Sequence, residues 1–588
     1  MLYLLAPAGS PAALKAALDA GADEIYVGGP VFNARMNAAN FTKESLAEAS
    51  ALCRARGARL HVALNTLLFD REMNEALEYV GFLAEKVKPD ALIVQDAGLI
   101  ASVRREFPGI ALHASTQMRL HSPGDVEFVK QLGFTRAVLA RELCFDDIKK
   151  CASVGLETEI FAHGALCVCE SGGCLMSSVI GGRSGNRGEC AQPCRLPYKG
   201  KSEYPLSLKD LCLAGHIKEI ADSGVTSLKI EGRMKSPDYV YAVTSVYRRL
   251  IDENRNADGR EIEYLSAVFS RGGFTDGYFT GRITRSMFGS RSDADKEKSR
   301  AVRRAQEPPY PPRAKVEAPA VPPFVPPEQN GSELISPKEQ RGTVLRFEGG
   351  LPSEELLKKY APSAARIDVP LRDALDKRLA PYRDKLSAIL PRSVFCAEMP
   401  GVEKRLDALL GAGIKRLTVN SVWQFRLALK GFFLHGDYTL NVTNRRSIEF
   451  YENYPLSSIM ISPETDGGFP KGSRRALEYI CYGRTPLMYT RTCIIANIAG
   501  CARADRCSAV LTDRAGAKFP VISGESHTNT VYNSLPAFRL DRKPALKASG
   551  VGLVTLLFTD ENEKRISEVI EYALGNRKDK PRFEYTRR

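Results

Sequence analysis

Long apolar runs are missing from this 588-residue chain: none approaches the roughly eighteen residues a membrane-spanning helix needs, and no membrane association is expected. No secretory leader is expected from the opening Met1-Leu-Tyr-Leu-Leu-Ala-Pro-Ala-Gly, which is short and has no basic flank. The expected compartment is the cytoplasm, where thiols stay reduced and disulfides are disfavoured. No Gly-x-Gly-x-x-Gly follows an early strand-like run, which removes the signature of dinucleotide binding on an open sheet. Neither His-Glu-x-x-His nor Gly-x-Ser-x-Gly occurs, so zinc-protease and serine-hydrolase chemistry lack their motifs. Acidic residues are short in number, 69 against 83 basic ones, giving a formal charge of +14. That excess suits a polyanionic partner, RNA with no DNA expected, or else a solvated basic surface. It is densest in "RITRSMFGSRSDADKEKSRAVRRA" (282–305) and "RKDKPRFEYTRR" (577–588), read as flexible phosphate-seeking segments or as solvated ends.

Cysteine is what the chain concentrates. "HGALCVCESGGCLMSSVIGGRSGNRGECAQPCR" (163–195) holds five in a glycine-rich stretch. Cys167, Cys174, Cys190 and Cys194 give the spacing C-x6-C-x15-C-x3-C. Four thiolates can surround zinc or hold a four-iron cluster. Only the second pair is as close as in a zinc knuckle, and the ferredoxin spacing is absent, so the spacing points to metal without choosing between iron and zinc. The glycines let the backbone fold tightly around a buried inorganic group. A nucleophilic Cys167 with His163 as its base is the rival, although four spaced cysteines have no use in that mechanism. Cys169 is surplus, and Cys212 in "SLKDLCLAGHIKEI" reads as a core residue of an amphipathic helix. Later, "CIIANIAGCARADRC" places Cys493, Cys501 and Cys507 where they could hold a second metal with His527, or remain as reduced relics.

The fold follows from alternation. Strand-like runs at 3–9, 24–29, 59–66, 91–98, 111–117, 136–142, 157–164 and 227–233 are separated by amphipathic stretches such as "SPAALKAALDAGA". Eight βα units in about 250 residues predict a TIM-type (β/α)8 barrel over 1–285, an α/β fold. A basic and then proline-rich stretch, 286–335, follows; "PPYPPRAKVEAPAVPPFVPP" (308–327) reads as a semi-rigid extended linker. Beyond it eight more runs occur: "GTVLRFEGG", "AARIDVPL", "SVFCAEMP", "RLTVNSV", "DYTLNVT", "SSIMISPE", "LEYICYG" and "LVTLLFT". Residues 220–250 and 546–574 resemble each other, so 336–588 is expected to be a degenerate duplicate barrel that scaffolds or binds RNA.

In a barrel the chemistry sits where the βα loops converge. The strand ends there carry Asn65, Asp96, His113, Gln117, Arg141, Glu142, His163, Lys229, Glu231 and Arg233. The duplicate replaces Lys229 and Glu231 by Thr555 and Leu557, and is aligned to replace His113 by Asn441 and Asp96 by Ser421, which marks the first barrel as the catalytic one. Each residue also has a plainer reading. His163 could be an ordinary barrel histidine, Lys229, Glu231 and Arg233 a structural ion-pair set, and Asp96 the cap of the following helix.

"LLAPAGSPAALKAALDAGADEIYVGG", "FNARMNAANFT", "HASTQMRLHS", "HGALCVCESGGCLMSS", "GGRSGNRGECAQPCRLPY" and "LKIEGRMKSPDYV" resemble the collagenase-like peptidase family U-32 over about residues 1–285. "LTDRAGAKFPV" and "NSLPAFRLDR" resemble the extension of its long members. The resemblance implies either proteolysis, after which the family is named, or an oxygen-independent hydroxylase with a 4Fe–4S cluster acting on tRNA uridine, ribosomal RNA cytidine or a ubiquinone precursor. It assigns the cluster to Cys167, Cys174, Cys190 and Cys194, and the long form points to the ribosomal RNA branch. On that reading Lys229, Arg233 and Arg141 hold an anionic oxygen donor such as prephenate, and Glu231, His163 or Asp96 moves the proton. Asn65, His113 and Gln117 line the cofactor, and an electron-donor protein would be a further partner. A non-enzymatic RNA- or ribosome-associated iron–sulfur protein is the remaining alternative. Long members carry a small β-rich segment after the first barrel, where this chain has the proline-rich stretch.

Overall fold

Parallel strands buried on both faces need continuous apolar or paired side chains, and the eight early runs supply them. The computed structural model describes residues 2–301, 309–312, 319–322, 341–465, 472–501 and 506–586. The chain divides into two units: Met1–Val325 with Thr490–Ile498, and Pro326–Tyr489 with Ala499–Arg588.

In the first unit β1 (Tyr3–Ala8), β2 (Glu24–Gly28), β3 (Arg59–Leu64), β4 (Ala91–Val94), β5 (Leu112–Ala114), β6 (Arg136–Val138), β7 (Glu157–Gly164) and β8 (Ser227–Ile230) pair in parallel in that order. β8 pairs with both β1 and β7, which closes the barrel. Helices α1 (Pro11–Asp19), α2 (Lys43–Ala55), α3 (Met73–Phe82), α4 (Ala97–Glu106), α5 (Pro123–Gln131) and α6 (Phe145–Ala152) alternate with the strands, and α7 (Pro237–Asp252) follows β8. Their starts are written locally. Ser10, Thr42, Asp96, Ser122 and Ser236 each accept a backbone N–H of the first turn, satisfying donors that the helix itself leaves open. Cys212 lies in a short strand, Asp210–Cys212, rather than the expected helix, and is buried as expected.

The floor of this barrel is ionic. Arg136, fully buried, donates to Glu24 at 2.6 and 2.8 Å and meets Glu159 at 3.1 Å, while Lys229 Nζ lies 2.7 Å from Glu159. His61 and His113 stand edge to face at 4.6 Å in the same layer. Charges so deep persist only because each has its partner.

The second unit repeats the plan as β9 (Gly342–Phe347), β10 (Arg366–Pro370), β11 (Leu386–Ile389), β12 (Arg416–Val419), β13 (Phe433–Gly436), β14 (Leu456–Met460), β15 (Ala476–Gly483) and β16 (Val551–Phe558). β16 pairs with β9 and β15, so this barrel is closed, not degenerate. Two expected strands are misplaced. "SVFCAEMP" is a turn leading into helix Met399–Gly411, and the strand before it is the less apolar "LSAI"; "DYTLNVT" is a 3-10 turn capped by Asp437, and the strand is "FLHG". A four-stranded sheet of Pro486–Thr490, Ser508–Thr512, Lys518–Ser523 and Asn529–Tyr532 sits between β15 and β16 in sequence.

Register corrects the duplicate alignment. His113 pairs across to β4 as His435 does to β12, so His435, not Asn441, is its counterpart; Asn441 matches Arg119, both left-handed after a 3-10 turn. Asp96 and Ser421 both cap the following helix. Neither pair therefore marks a lost catalytic group. Thr555 and Leu557 do stand at the positions of Lys229 and Glu231.

Of the proline-rich stretch, residues 308, 313–318 and 323–327 lie outside the described residues, as do 302–305 of the basic stretch and 587–588 of the tail. Its described pieces dock on the first unit: Tyr310 donates its N–H to Asp19 O at 2.8 Å and its hydroxyl to Asp252 at 2.8 Å. The tail is packed rather than loose up to Thr586, with Phe583 and Tyr585 against Phe538.

Candidate functional site at the first barrel mouth

After β7 the chain enters the cysteine loop, which is stitched down onto the rim. Met36 N–H donates to Gly188 O at 3.2 Å, Leu67 N–H to Asn186 O at 3.0 Å, and Arg187 pairs with Glu72 at 2.6 Å. Gly172 and Gly188 have left-handed backbones, and a Cβ on either would lie within 2.1 or 2.2 Å of the carbonyl oxygens of Gln117 and Asn33. Only glycine permits so close a seat. The loop thus covers the carboxyl ends of β2 to β5.

Its thiols gather. Cys167 and Cys190 are exposed, and Cys174 and Cys194 half-buried. Burial and the charge of the other three cysteines push Cys194 up to about 12, and burial with Cys174 and Cys167 raises Cys190. Among the described residues no three or more His, Cys, Asp or Glu side chains stand where one metal ion reaches them all. Four sulfurs on a single zinc would lie about 3.8 Å apart, given bonds near 2.3 Å. Four thiols near enough to feel one another's charge are a thiolate donor set of the kind that zinc or an iron–sulfur cluster can use. Of the later group, Cys501 and Cys507 have sulfurs 3.8 Å apart, whereas Cys493 belongs to the stretch grouped with the first unit.

Beside the thiols lies a knot of guanidinium groups around one carboxylate. Arg35 reaches Glu231 Oε1 at 3.0 Å, and Arg141 approaches Oε2 at 3.8 Å. Arg141 stacks on Phe161 at 3.8 Å, donates to Ala165 O at 3.2 Å and faces Cys167 Sγ at 3.9 Å. Arg233 donates to Asn33 Oδ1 at 3.1 Å. Burial alone would raise the Glu231 carboxyl, but Arg35, Arg141 and Arg233 outweigh it and hold it at about 2. Burial and Arg35 push Arg233 down to about 10. Three cations on one anion leave a net positive rim next to the sulfurs, able to take a carboxylate or phosphate.

The remaining expected residues are distributed. Lys229 belongs to the floor with Glu159, beneath the rings of Tyr26 and Phe161 at 4.5 and 5.3 Å. Both Asp96 oxygens accept backbone N–H groups, of Leu99 at 2.9 Å and Leu68 at 3.1 Å, which makes it a poor proton acceptor. A shift of register between Phe161 and His163 turns His163 outward against Tyr247 and Phe274, and burial pushes its imidazole down to about 3. His113 is in the floor, and burial lowers it as well. Asn65 accepts the Ala34 N–H at 3.0 Å and so ties two rim loops together, while Gln117 lies beneath the cysteine loop with its Oε1 buried and unbonded.

Several groups escaped the sequence reading. Arg35 lies seven residues past β2, inside "FNARMNAANFT", too far to be counted as a strand end. Lys235 lies over the Phe269 ring at 2.8 Å; burial and Arg271 push its amine down to about 7. His121 stands between Glu142 and Glu170, at 3.6 and 3.7 Å, and so joins the loop after β5 to the cysteine loop.

The family model described as Peptidase family U32 matches residues 9–287. The 23S rRNA 5-hydroxycytidine C2501 synthase of Escherichia coli (strain K12) is 42% identical over 261 residues, 43% of this chain and 39% of that protein. The tRNA hydroxylation protein P1 of Bacillus subtilis (strain 168) is 38% identical over 265 residues, 42% of this chain and 63% of its own. A protein named Collagenase from Porphyromonas gingivalis (strain ATCC BAA-308 / W83) is 35% identical over 309 residues, 47% of this chain and 73% of its own. The chain thus spans less than two thirds of the first two relatives. With the third matched over most of its length, and the family model lying on the barrel that carries the cysteine loop, this chain belongs to peptidase family U32.

Proposed function

We propose that this protein hydroxylates a pyrimidine of ribosomal or transfer RNA at C5 without molecular oxygen, using a 4Fe–4S cluster held by Cys167, Cys174, Cys190 and Cys194. The observation that carries the reading is the gathering of those four thiols beside the Arg35, Arg141 and Arg233 knot on one barrel mouth. Two relatives whose names specify RNA hydroxylation support it. In net terms a C5–H bond is exchanged for C5–OH. The oxygen enters at the oxidation level of water from a hydroxyl-bearing organic anion that is dehydrated. Two protons leave, and two electrons pass singly to a redox carrier protein. When bound, the cluster supplies the one-electron transfers.

The chain's residues do the rest. Arg141 and Arg35 hold the anion's carboxylate through guanidinium forks, and Glu231 orients both of them instead of moving protons. Lys235, whose amine burial and Arg271 push down to about 7 and which feels the Glu231 carboxylate, is assigned the proton on the ring carbon. The pyrimidine must be unstacked to enter the mouth, so a loop or single-stranded site is the substrate. Proteolysis fits less well, because His163 is turned away toward Tyr247 and gives no Cys167 its base.

Anaerobic purification should give a brown protein with about four irons per chain. Nucleoside mass spectrometry of ribosomal and transfer RNA, with and without the protein, should show one hydroxylated pyrimidine lost. An unchanged nucleoside profile refutes the proposal.

A further inference from the structure

The second barrel has its own mouth, and that mouth is built. The carboxyl ends of β9 to β12, roofed by strands Lys518–Ser523 and Asn529–Tyr532, enclose a cavity of about 100 Å³. Arg346 and Arg392 line it with Tyr489, Tyr532, Thr528 and Thr530. The two arginines differ in their partners. Arg346 is neutralised: Asp437 holds it with two bonds of 2.8 Å and Glu348 with one of 2.6 Å. Arg392 is not. Its guanidinium stacks over the rings of Tyr438 and Tyr489, at 5.2 and 5.1 Å, and donates to the Tyr438 hydroxyl. Among the described residues no carboxylate lies within ion-pairing distance of Arg392. Glu348 and Asp437, the acids whose charge reaches Arg392, are already engaged, both by Arg346 and Glu348 also by the Tyr532 hydroxyl. A guanidinium stacked on two rings and lining a cavity, with the charges of Glu348 and Asp437 reaching it but no carboxylate bonded to it, can take an incoming anion directly.

The cavity continues into a wider hollow of about 490 Å³ that shares Arg372, Gly524 and Glu525 with it and adds Arg405, Arg506 and His527. Arg506 pairs with Asp373 and Arg405 with Glu525 at 2.8 Å, yet the Arg506 side chain remains 54% exposed. Arg392 in the cavity, the largely buried Arg372 at its edge beside Asp373, and the more exposed Arg405 and Arg506 beyond form a line that matches successive phosphates of a strand better than one compact anion.

We infer that the mouth of the second barrel binds the backbone of single-stranded RNA, with one phosphate on Arg392 and its neighbours along Arg372, Arg405 and Arg506. This rests on RNA being the partner and gives the strand a second, non-catalytic grip on the same chain. Phosphate chemistry is shared by an RNA strand and a small phosphorylated metabolite, and the test separates them.

Full-length holoprotein is titrated with a fluorescein-labelled single-stranded RNA by anisotropy at several salt concentrations, alongside Arg392→Gln and Arg506→Gln. Each variant should bind roughly tenfold more weakly. The slope of log affinity against log salt should fall in magnitude by about 0.7 for each phosphate contact removed. Arg506→Gln is at the surface and guards against misfolding of the buried variant, and Arg392→Lys should recover part of the affinity. Unchanged affinity and slope in both glutamine variants overturns the inference. So does protection from thermal unfolding by inorganic phosphate or a nucleoside monophosphate without RNA binding, which would identify a metabolite site. If the nucleoside profile proves unchanged while the variants still weaken RNA binding, the hydroxylase reading fails and this one stands.

Discussion

Glu231→Gln tests the charge knot directly. The carboxyl is held at about 2 instead of 4.5, because three guanidinium groups overcome the cost of its burial. A group depressed on folding stabilises the native state above its unfolded value and loses that contribution as pH falls toward the folded value. The shift corresponds to about 3 kcal/mol at pH 6, falling to about 1.5 kcal/mol at pH 3. Glutamine has no such titration and leaves Arg35, Arg141 and Arg233 facing one another. Urea unfolding followed by far-UV circular dichroism should therefore show the variant about 3 kcal/mol less stable at pH 6, with the gap halved at pH 3. The protein contains one tryptophan, Trp423, in the second barrel, so its fluorescence provides an internal control that should not move. Terms common to both proteins, including any acid lability of a bound cluster, cancel in the difference. A gap that stays constant from pH 6 to pH 3 would refute the argument, since it would show that the carboxylate does not feel the arginines it touches.

Arg136→Met removes the bidentate partner of Glu24, leaving it Arg59 and the Ser227 hydroxyl, and leaves Glu159 with Lys229 alone; it should cost about 3 kcal/mol by urea unfolding, with Glu24→Gln in the same chain restoring some of it. Cys174→Ser should yield a folded protein with its iron content and brown colour lost, read by metal analysis and visible absorbance. Lys235→Met should abolish the rise in hydroxylation rate through about pH 7 that a neutral amine base requires, while leaving RNA affinity unchanged. Burial opposes charge on His121, but Glu170 and Glu142 outweigh it and raise its pKa, so the clamp it forms holds below pH 6.5 and loosens as pH rises past the raised value. Protection factors of residues 168–175, with the intrinsic pH dependence of amide exchange divided out, should fall as pH rises past that value, and His121→Gln should remove the fall.

What could be read from the sequence follows the range of the interactions. The first barrel's eight strands, Asp96 as a cap and the four thiols on the rim are set by patterns a few residues long. Arg35 was missed because its partner, Glu231, lies 196 positions away, and only closure of the barrel brings them together. Lys229 and Glu231 are two residues apart and share one strand face, so sequence spacing joined them. Depth separated them, one into the floor and the other onto the rim. His163 stands at the carboxyl end of its strand, which places it at the mouth, but one register shift in β7 turns its side chain outward. In the second barrel the third strand is "LSAI", whose single serine-broken apolar run is weaker than the neighbouring "SVFCAEMP", and only its pairing between β10 and β12 identifies it.

The duplicated barrels show where selection for chemistry and selection for folding part company. Glu159 and Glu478 occupy the same register, as do His113 and His435, and each glutamate is paired with a buried cation, Lys229 or Arg366. A floor built on such pairs cannot drift one residue at a time, because any single loss strands a buried charge. The rims are free of that constraint. Where the first barrel ends β8 in Glu231, with Arg35 and Arg141 upon it, the second has Leu557 and places its spare arginine, Arg392, beyond β11. The four-thiol loop lies over the first rim, and Arg392 stacked between Tyr438 and Tyr489 lies in the second. If both rims served one reaction, a charge-removing change in either should alter the rate of the chemical step. If they divide the labour, Arg392→Gln should raise KM for RNA with kcat unchanged, and Glu231→Gln should lower kcat.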